Sequence, residues 1–183
     1  MSHFLLAVFH DECQDVDDML APYDEELKTE THIEFTKEQA IRFARENFKD
    51  YRDKPDEECW KLMADGCTTD ENGNIFSTDN PQAKWDWYEI GGRWDGYLRV
   101  NGEHVNSARI GEIDFGSDEQ KAEFSTYAVI TPDGRWHEYS PMGWNGLVHG
   151  NKEDSKNWYA HYWERFIMNS DPNTMITIVD CHI

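Results

Sequence analysis

A short, nearly continuous apolar run opens the chain: His3-Phe4-Leu5-Leu6-Ala7-Val8-Phe9. A strand with one wet face alternates apolar and polar residues, whereas an unbroken run needs cover on both faces, so this segment reads as a central strand. A second β-rich run, Met175-Ile-Thr-Ile-Val-Asp-Cys-His-Ile183, lies at the other end, and the two are expected to pair antiparallel. The residues between them must then supply the layers that cover a sheet.

Helical signals occur at both flanks. Thr36-x-x-Gln39 has the form of a capping box, and Ala40, Ile41, Ala44 and Phe48 follow at helical spacing. That helix should stop before Pro55. A shorter helix is expected over Asp56–Ala64, with acids in its first turn and Gly66 past its end. Residues 10 to 34 read as loop, with one short helical turn over Val16 to Leu20. Trp158, Tyr159, Tyr162, Trp163, Phe166 and Ile167 make a wide apolar stripe on a last helix, which Asp154 or Ser155 would cap.

Strand signals fill the middle. Asn72-Gly73 and Asn101-Gly102 are hairpin turns, and Pro132-Asp133-Gly134 joins Ser125–Thr131 to a return strand at Arg135–Tyr139. The segment Lys84-Trp-Asp-Trp-Tyr-Glu-Ile-Gly-Gly-Arg-Trp-Asp-Gly96 alternates as a strand until Gly91-Gly92, which marks a bulge or a close backbone approach. The order strand, helix, insertion, strand, strand, helix, strand predicts an α+β domain of ferredoxin-like βαββαβ topology: an antiparallel sheet with both helices on one face. All 183 residues are taken as one domain, with residues 50–80 inserted into it.

Charge narrows the partners. Aspartate and glutamate number 37 against 17 lysines and arginines, a net −20. Direct binding to nucleic acid needs clustered cations to displace counterions, and anionic membranes ask the same, so neither is expected as a partner. No apolar stretch approaches the roughly 18 residues of a membrane span. Eight Trp, eight Tyr and nine Phe argue for a folded chain despite the charge. Cys13, Cys59, Cys67 and Cys181 are scattered. Together with a start that lacks a basic signal-peptide region, they point to reduced thiols in a cytoplasmic protein.

The Gly-rich phosphate loops, the G-x-S-x-G elbow and the H-E-x-x-H zinc helix are all absent, which weighs against an enzyme, and neither cofactor nor metal is assigned. Four features remain. His10, with the acids after it, reads either as a metal-ligand set or as a solvated loop. Asp180-Cys181-His182 should lie near His3, with Asp180 and His182 on one face and Cys181 on the other. Arg93 is either a planar fork for a carboxylate or phosphate ligand, or a structural cation held by Asp86 or Glu89 and stacked on Trp94. Trp85, Trp87, Trp94, Trp136 and Trp144 read either as core or as a stacking platform.

The Lys84–Gly96 segment resembles a group of uncharacterised proteins from bacteriophages, prophages and bacteria that carry W-D-W-Y/W-x-I-G-G-R-W-x-G. Tyr127-Ala128-Val129, Met142-Gly143-Trp144 and Val179-Asp180-Cys181-His182-Ile183 are similar as well. No activity is established for that group, so no residue role is carried over. The resemblance implies a phage or mobile-element setting, where small acidic proteins often inhibit host defence, anti-CRISPR and anti-restriction proteins among them. The leading expectation is therefore an inhibitor whose carboxylates imitate phosphates in the basic groove of a host protein. Its contact surface would be Asp15, Asp17, Asp18, Asp24, Glu25 and Glu26, joined by Asp56, Glu57 and Glu58. The alternative is a small-ligand site or enzyme using Trp87, Arg93, Trp94, His10 and His182. Oligomeric state is not legible.

Overall fold

The opening strand, β1 (His3–His10), is paired along both edges, as its composition requires. The computed structural model describes residues 2–140 and 152–183. The chain next forms helix α1 (Val16–Leu20), strand β2 (His32–Phe35), helices α2 (Lys37–Asn47) and α3 (Asp56–Ala64), and strands β3 (Thr68–Thr69) and β4 (Ile75–Ser77). Strands β5 (Trp87–Ile90), β6 (Leu98–Val100), β7 (Glu103–Val105) and β8 (Ser107–Arg109) follow, then helix α4 (Asp118–Glu123). Strands β9 (Ala128–Ile130) and β10 (Trp136–Glu138), helix α5 (Lys152–Tyr162) and strand β11 (Met175–His182) complete it. These elements fall into two compact units, Met1–Glu25 with Gln82–Ile183, and Glu26–Pro81.

The first unit is built on a sheet of order β10-β9-β1-β11-β5, with β8 also paired to β11. Strands β1 and β11 run antiparallel over eight residues, from His3 opposite His182 to His10 opposite Met175. Strand β9 takes the other edge of β1 in parallel, Leu6 opposite Ala128. The chain is thus α+β, but the sheet is mixed rather than antiparallel, and its order is not the expected ferredoxin-like one. The reason lies in β11. Ile176 to Cys181 are all buried, so this strand needs neighbours on both edges, and β5 and β8 supply the second.

Each face of the sheet has its own core. Leu5, Ala7, Phe9, Val129, Ile176 and Ile178 point to one side, where Trp158, Tyr162, Phe166 and Ile167 of the last helical segment cover them. Phe4, Leu6, Val8, Ala128, Ile130, Val179 and Cys181 point to the other, against Met19, Leu20, Tyr23 and Trp85. Helices therefore sit on both faces, not one. Full burial of each large apolar side chain contributes about 1.5–3 kcal/mol. Helix α5 opens at Lys152, ahead of the expected caps Asp154 and Ser155, and passes into a π-helical turn at Trp163–Ile167. The glycine-rich loop with Met142, Gly143 and Trp144 lies outside the described residues.

The second unit has its own sheet, β2-β4-β3, and its own helix pair. Helix α2, expected to cover the main sheet, belongs here. Thr36 and Gln39 close the capping box at its start, and Ala40, Ala44 and Cys59 are fully buried between α2 and α3. Trp60 Nε1 donates to the Gly73 carbonyl at 2.9 Å, tying α3 to the β3–β4 turn. The segment that separates from the first unit starts at Glu26, so it is longer than the 50–80 insertion expected.

Candidate functional site

The core on the α5 side of the main sheet ends in polar groups. Beyond Leu5 and Ile178 the same face presents His3 of β1 and Asp180 and His182 of β11. Trp87 of β5 stands opposite His182 on the far edge. Alternation sends Cys181 the other way, into the second core, where burial pushes its thiol pKa up. The sequence reading of this strand end is met: Asp180 and His182 share a face beside His3, and Cys181 does not.

Asp180 is 2% exposed, and such a carboxylate needs partners. Its Oδ1 accepts from His3 Nδ1 at 2.8 Å, and its Oδ2 accepts from the Arg93 backbone N–H at 3.0 Å. Gly91 and Gly92 let the chain come this close. Gly92 has φ +49, and a Cβ there would lie 2.5 Å from Asp180 Cβ. Gly91 has φ +76, its N–H reaches the Ile178 carbonyl at 2.8 Å, and a Cβ on it would meet the Asn106 amide. The double glycine is a close backbone approach that carries Arg93 onto the end of β11.

A second imidazole–carboxylate pair stands beside the first. His182 Nδ1 donates to Asp86 Oδ1 at 2.6 Å, and the ring centroids of His3 and His182 are 5.0 Å apart. Trp87 is nearly perpendicular to both, 6.2 Å from His3 and 6.5 Å from His182, and 49% exposed. In each neutral ring the carboxylate takes Nδ1–H, so the lone pair is on Nε2, which has no partner among the described residues. This places two proton acceptors, or two donors when protonated, beside an exposed indole. The sequence did not offer Asp86 as the partner of His182. The two are 96 positions apart, and no local pattern links them.

The other expected site residues separate. His10 is buried, with Nδ1 donating to the Asp11 carbonyl and Nε2 accepting from Thr177, whose hydroxyl also meets Ser107 at 2.7 Å. Both its nitrogens are used within the protein, so its role is structural. Trp94 packs against the core, and Trp85 is buried with its N–H on the Leu20 carbonyl. Arg93 is exposed, and its guanidinium has no partner among the described residues, so neither Asp86 nor Glu89 holds it. Among the described residues no group of three or more His, Cys, Asp or Glu is arranged to hold a metal ion.

The acidic surface divides between the units. In the first, Asp15 caps α1, Asp17 accepts from the Tyr88 hydroxyl at 2.6 Å, and Asp18 is exposed. Burial and Asp17 together push the Tyr88 phenol up to about 12. In the second, Asp56 pairs with Arg45, Glu57 with Lys37 and Lys61, and Glu58 with Lys54, so these three carboxylates have cationic partners of their own. A separate cleft of about 330 Å³ lies between Glu138, Tyr139, Trp158, His161 and Arg165. Of its polar groups, Glu138 is engaged by Lys84 and Trp136, and Arg165 by His137.

No helix among the described residues is long and apolar enough to cross a membrane. No protein-family model, curated protein or solved structure matches the chain.

Proposed function

We propose that the protein binds a small ligand at the His3–His182–Trp87 end of its main sheet and exchanges protons with it. The observation that carries this reading is the pair of imidazoles 5.0 Å apart, each held through Nδ1 by a carboxylate and each with Nε2 unpartnered among the described residues. Orientation by a carboxylate is what a general base or acid requires, and two such groups together can accept one proton and donate another. The two most distinctive stretches of the sequence, 84–96 and 179–183, both contribute to this end of the sheet. A thermal-shift screen of phosphate, carboxylate and neutral sugar ligands tests it, run on the wild type and on the His3→Gln/His182→Gln double variant. A ligand that raises the wild-type melting temperature and leaves the double variant unmoved is expected. Equal shifts in both proteins refute the site.

A second reading, inhibition of a host nucleic-acid-processing protein through an acidic surface, draws on one specific feature. Residues 1–25 contain seven carboxylates and no lysine or arginine. This reading expects a partner with a basic groove, captured from bacterial lysate at low salt and released near ~0.5 M salt, where exposed charges are screened. Reversing Asp15, Asp17, Asp18, Asp24, Glu25 and Glu26 to lysine should abolish capture. Capture by the reversed protein contradicts it.

A further inference from the structure

We propose that the ligand of this site is a small phosphate ester carrying a flat ring, of the nucleoside monophosphate class; this rests on the acid–base reading of the same residues. Three features select that chemistry. The first is the supply of donors for an anion. Arg93 is exposed, and its guanidinium has no carboxylate of its own among the described residues, although acids outnumber bases 37 to 17 in the chain. Its backbone is pinned by Asp180, the same carboxylate that holds His3, so a single carboxylate separates the Arg93 N–H from the first imidazole. An arginine side chain is long enough to reach across one carboxylate. With both rings protonated, a guanidinium fork plus two imidazole Nε2–H groups offers donors in three directions. A tetrahedral phosphate can use all three, whereas a planar carboxylate has two oxygens to give.

The second feature is the indole of Trp87, 49% exposed on the edge strand and perpendicular to both imidazoles. An exposed indole beside two imidazoles is a surface on which a flat ring stacks. The third is the field of the whole molecule. A net charge of −20 opposes anions in proportion to their charge. A monophosphate brings one or two charges to one arginine, joined by the two imidazoles when they are protonated, while a polynucleotide brings a charge every few ångströms and meets no cationic track. The site therefore takes the monomer and rejects the polymer.

The test is calorimetric titration of the full chain with adenosine monophosphate, adenosine, inorganic phosphate and a single-stranded oligonucleotide. The imidazole and Trp87 resonances are followed in parallel. Adenosine monophosphate should bind and move the His3, His182 and Trp87 signals together. Adenosine and phosphate alone should each bind at least about tenfold more weakly, and so should the oligonucleotide. Arg93→Ala keeps the backbone N–H that Asp180 uses, and Trp87→Ala removes an exposed ring, so both variants should stay folded. Each should weaken binding about tenfold or more. If a carboxylate or neutral sugar moves the two imidazoles and adenosine monophosphate does not, the phosphate-ester assignment is wrong while the acid–base site stands. If no ligand class moves them, both fall.

Discussion

Replacing Gly92 with alanine puts the closeness of the Arg93 turn to Asp180 under direct strain. The added Cβ would sit 2.5 Å from Asp180 Cβ and 2.6 Å from Oδ2, at a backbone φ of +49. The left-handed backbone alone costs an alanine about 1–2 kcal/mol. Moving the buried carboxylate also weakens its bonds from His3 and the Arg93 N–H, and hydrogen bonds to charged groups contribute about 1.5–3 kcal/mol. The expected loss is then about 3–5 kcal/mol, a fall in Tm on the order of 10 °C for a chain of this size. Gly102 supplies the control: its φ is +85, and a Cβ there meets nothing within 4 Å. Gly102→Ala should lose only the backbone part, about 1–2 kcal/mol. Thermal unfolding of both variants, followed by circular dichroism, decides the matter. Equal losses would mean that Gly92 is not wedged against Asp180, and the anchoring of Arg93 would have to be abandoned.

The Tyr88 phenol, raised first by burial and then by Asp17, should ionise near pH 12, as read by difference absorbance against Tyr88→Phe. Since the folded state holds this proton longer, the stability linked to it is intact below the ordinary tyrosine range, near 10, and is lost as pH rises through about 12. Asp17→Asn should move the ionisation partway down, and titration at the ordinary value refutes the contact. Cys13 and Cys67 are exposed and should react at once with a thiol reagent, whereas Cys59 and Cys181 should react only on unfolding. More than two fast equivalents contradicts the burial. Thr36→Ala removes the cap of α2 and should cost about 1 kcal/mol in denaturant unfolding; an unchanged midpoint means the box contributes nothing.

Local chemistry was the legible part of this chain. The capping box at Thr36, the α3 boundaries at Asp56 and Ala64, the Asn-Gly hairpins and the unbroken apolar run of β1 each follow from neighbours a few residues apart. A second capping box, Ser117 with Gln120 at the start of α4, is equally local and was not singled out from the sequence. Sheet order was harder. The burial demand of Ile176 to Cys181 marks β11 as central, whereas the ferredoxin-like order would leave the last strand at an edge. Parallel pairing of β9 with β1 depends on where a three-residue strand docks, which no periodicity records. The site divides along the same line. Alternation at the strand end put Asp180 and His182 together near His3, while the Asp86–His182 pair and the Arg93 N–H contact arise only from tertiary folding.

The imidazole nitrogens of His3 and His182 hold the most direct evidence on the acid–base site. A nitrogen-15 spectrum of the histidine rings, recorded where both are neutral, reports which nitrogen carries the proton. The two carboxylate contacts require Nδ1–H with a bare Nε2 in both rings, and Asp180→Asn should disturb His3 while leaving His182 unchanged. Protonation on Nε2 in either ring would show that its carboxylate does not hold it, and a pair of oriented proton acceptors would not exist.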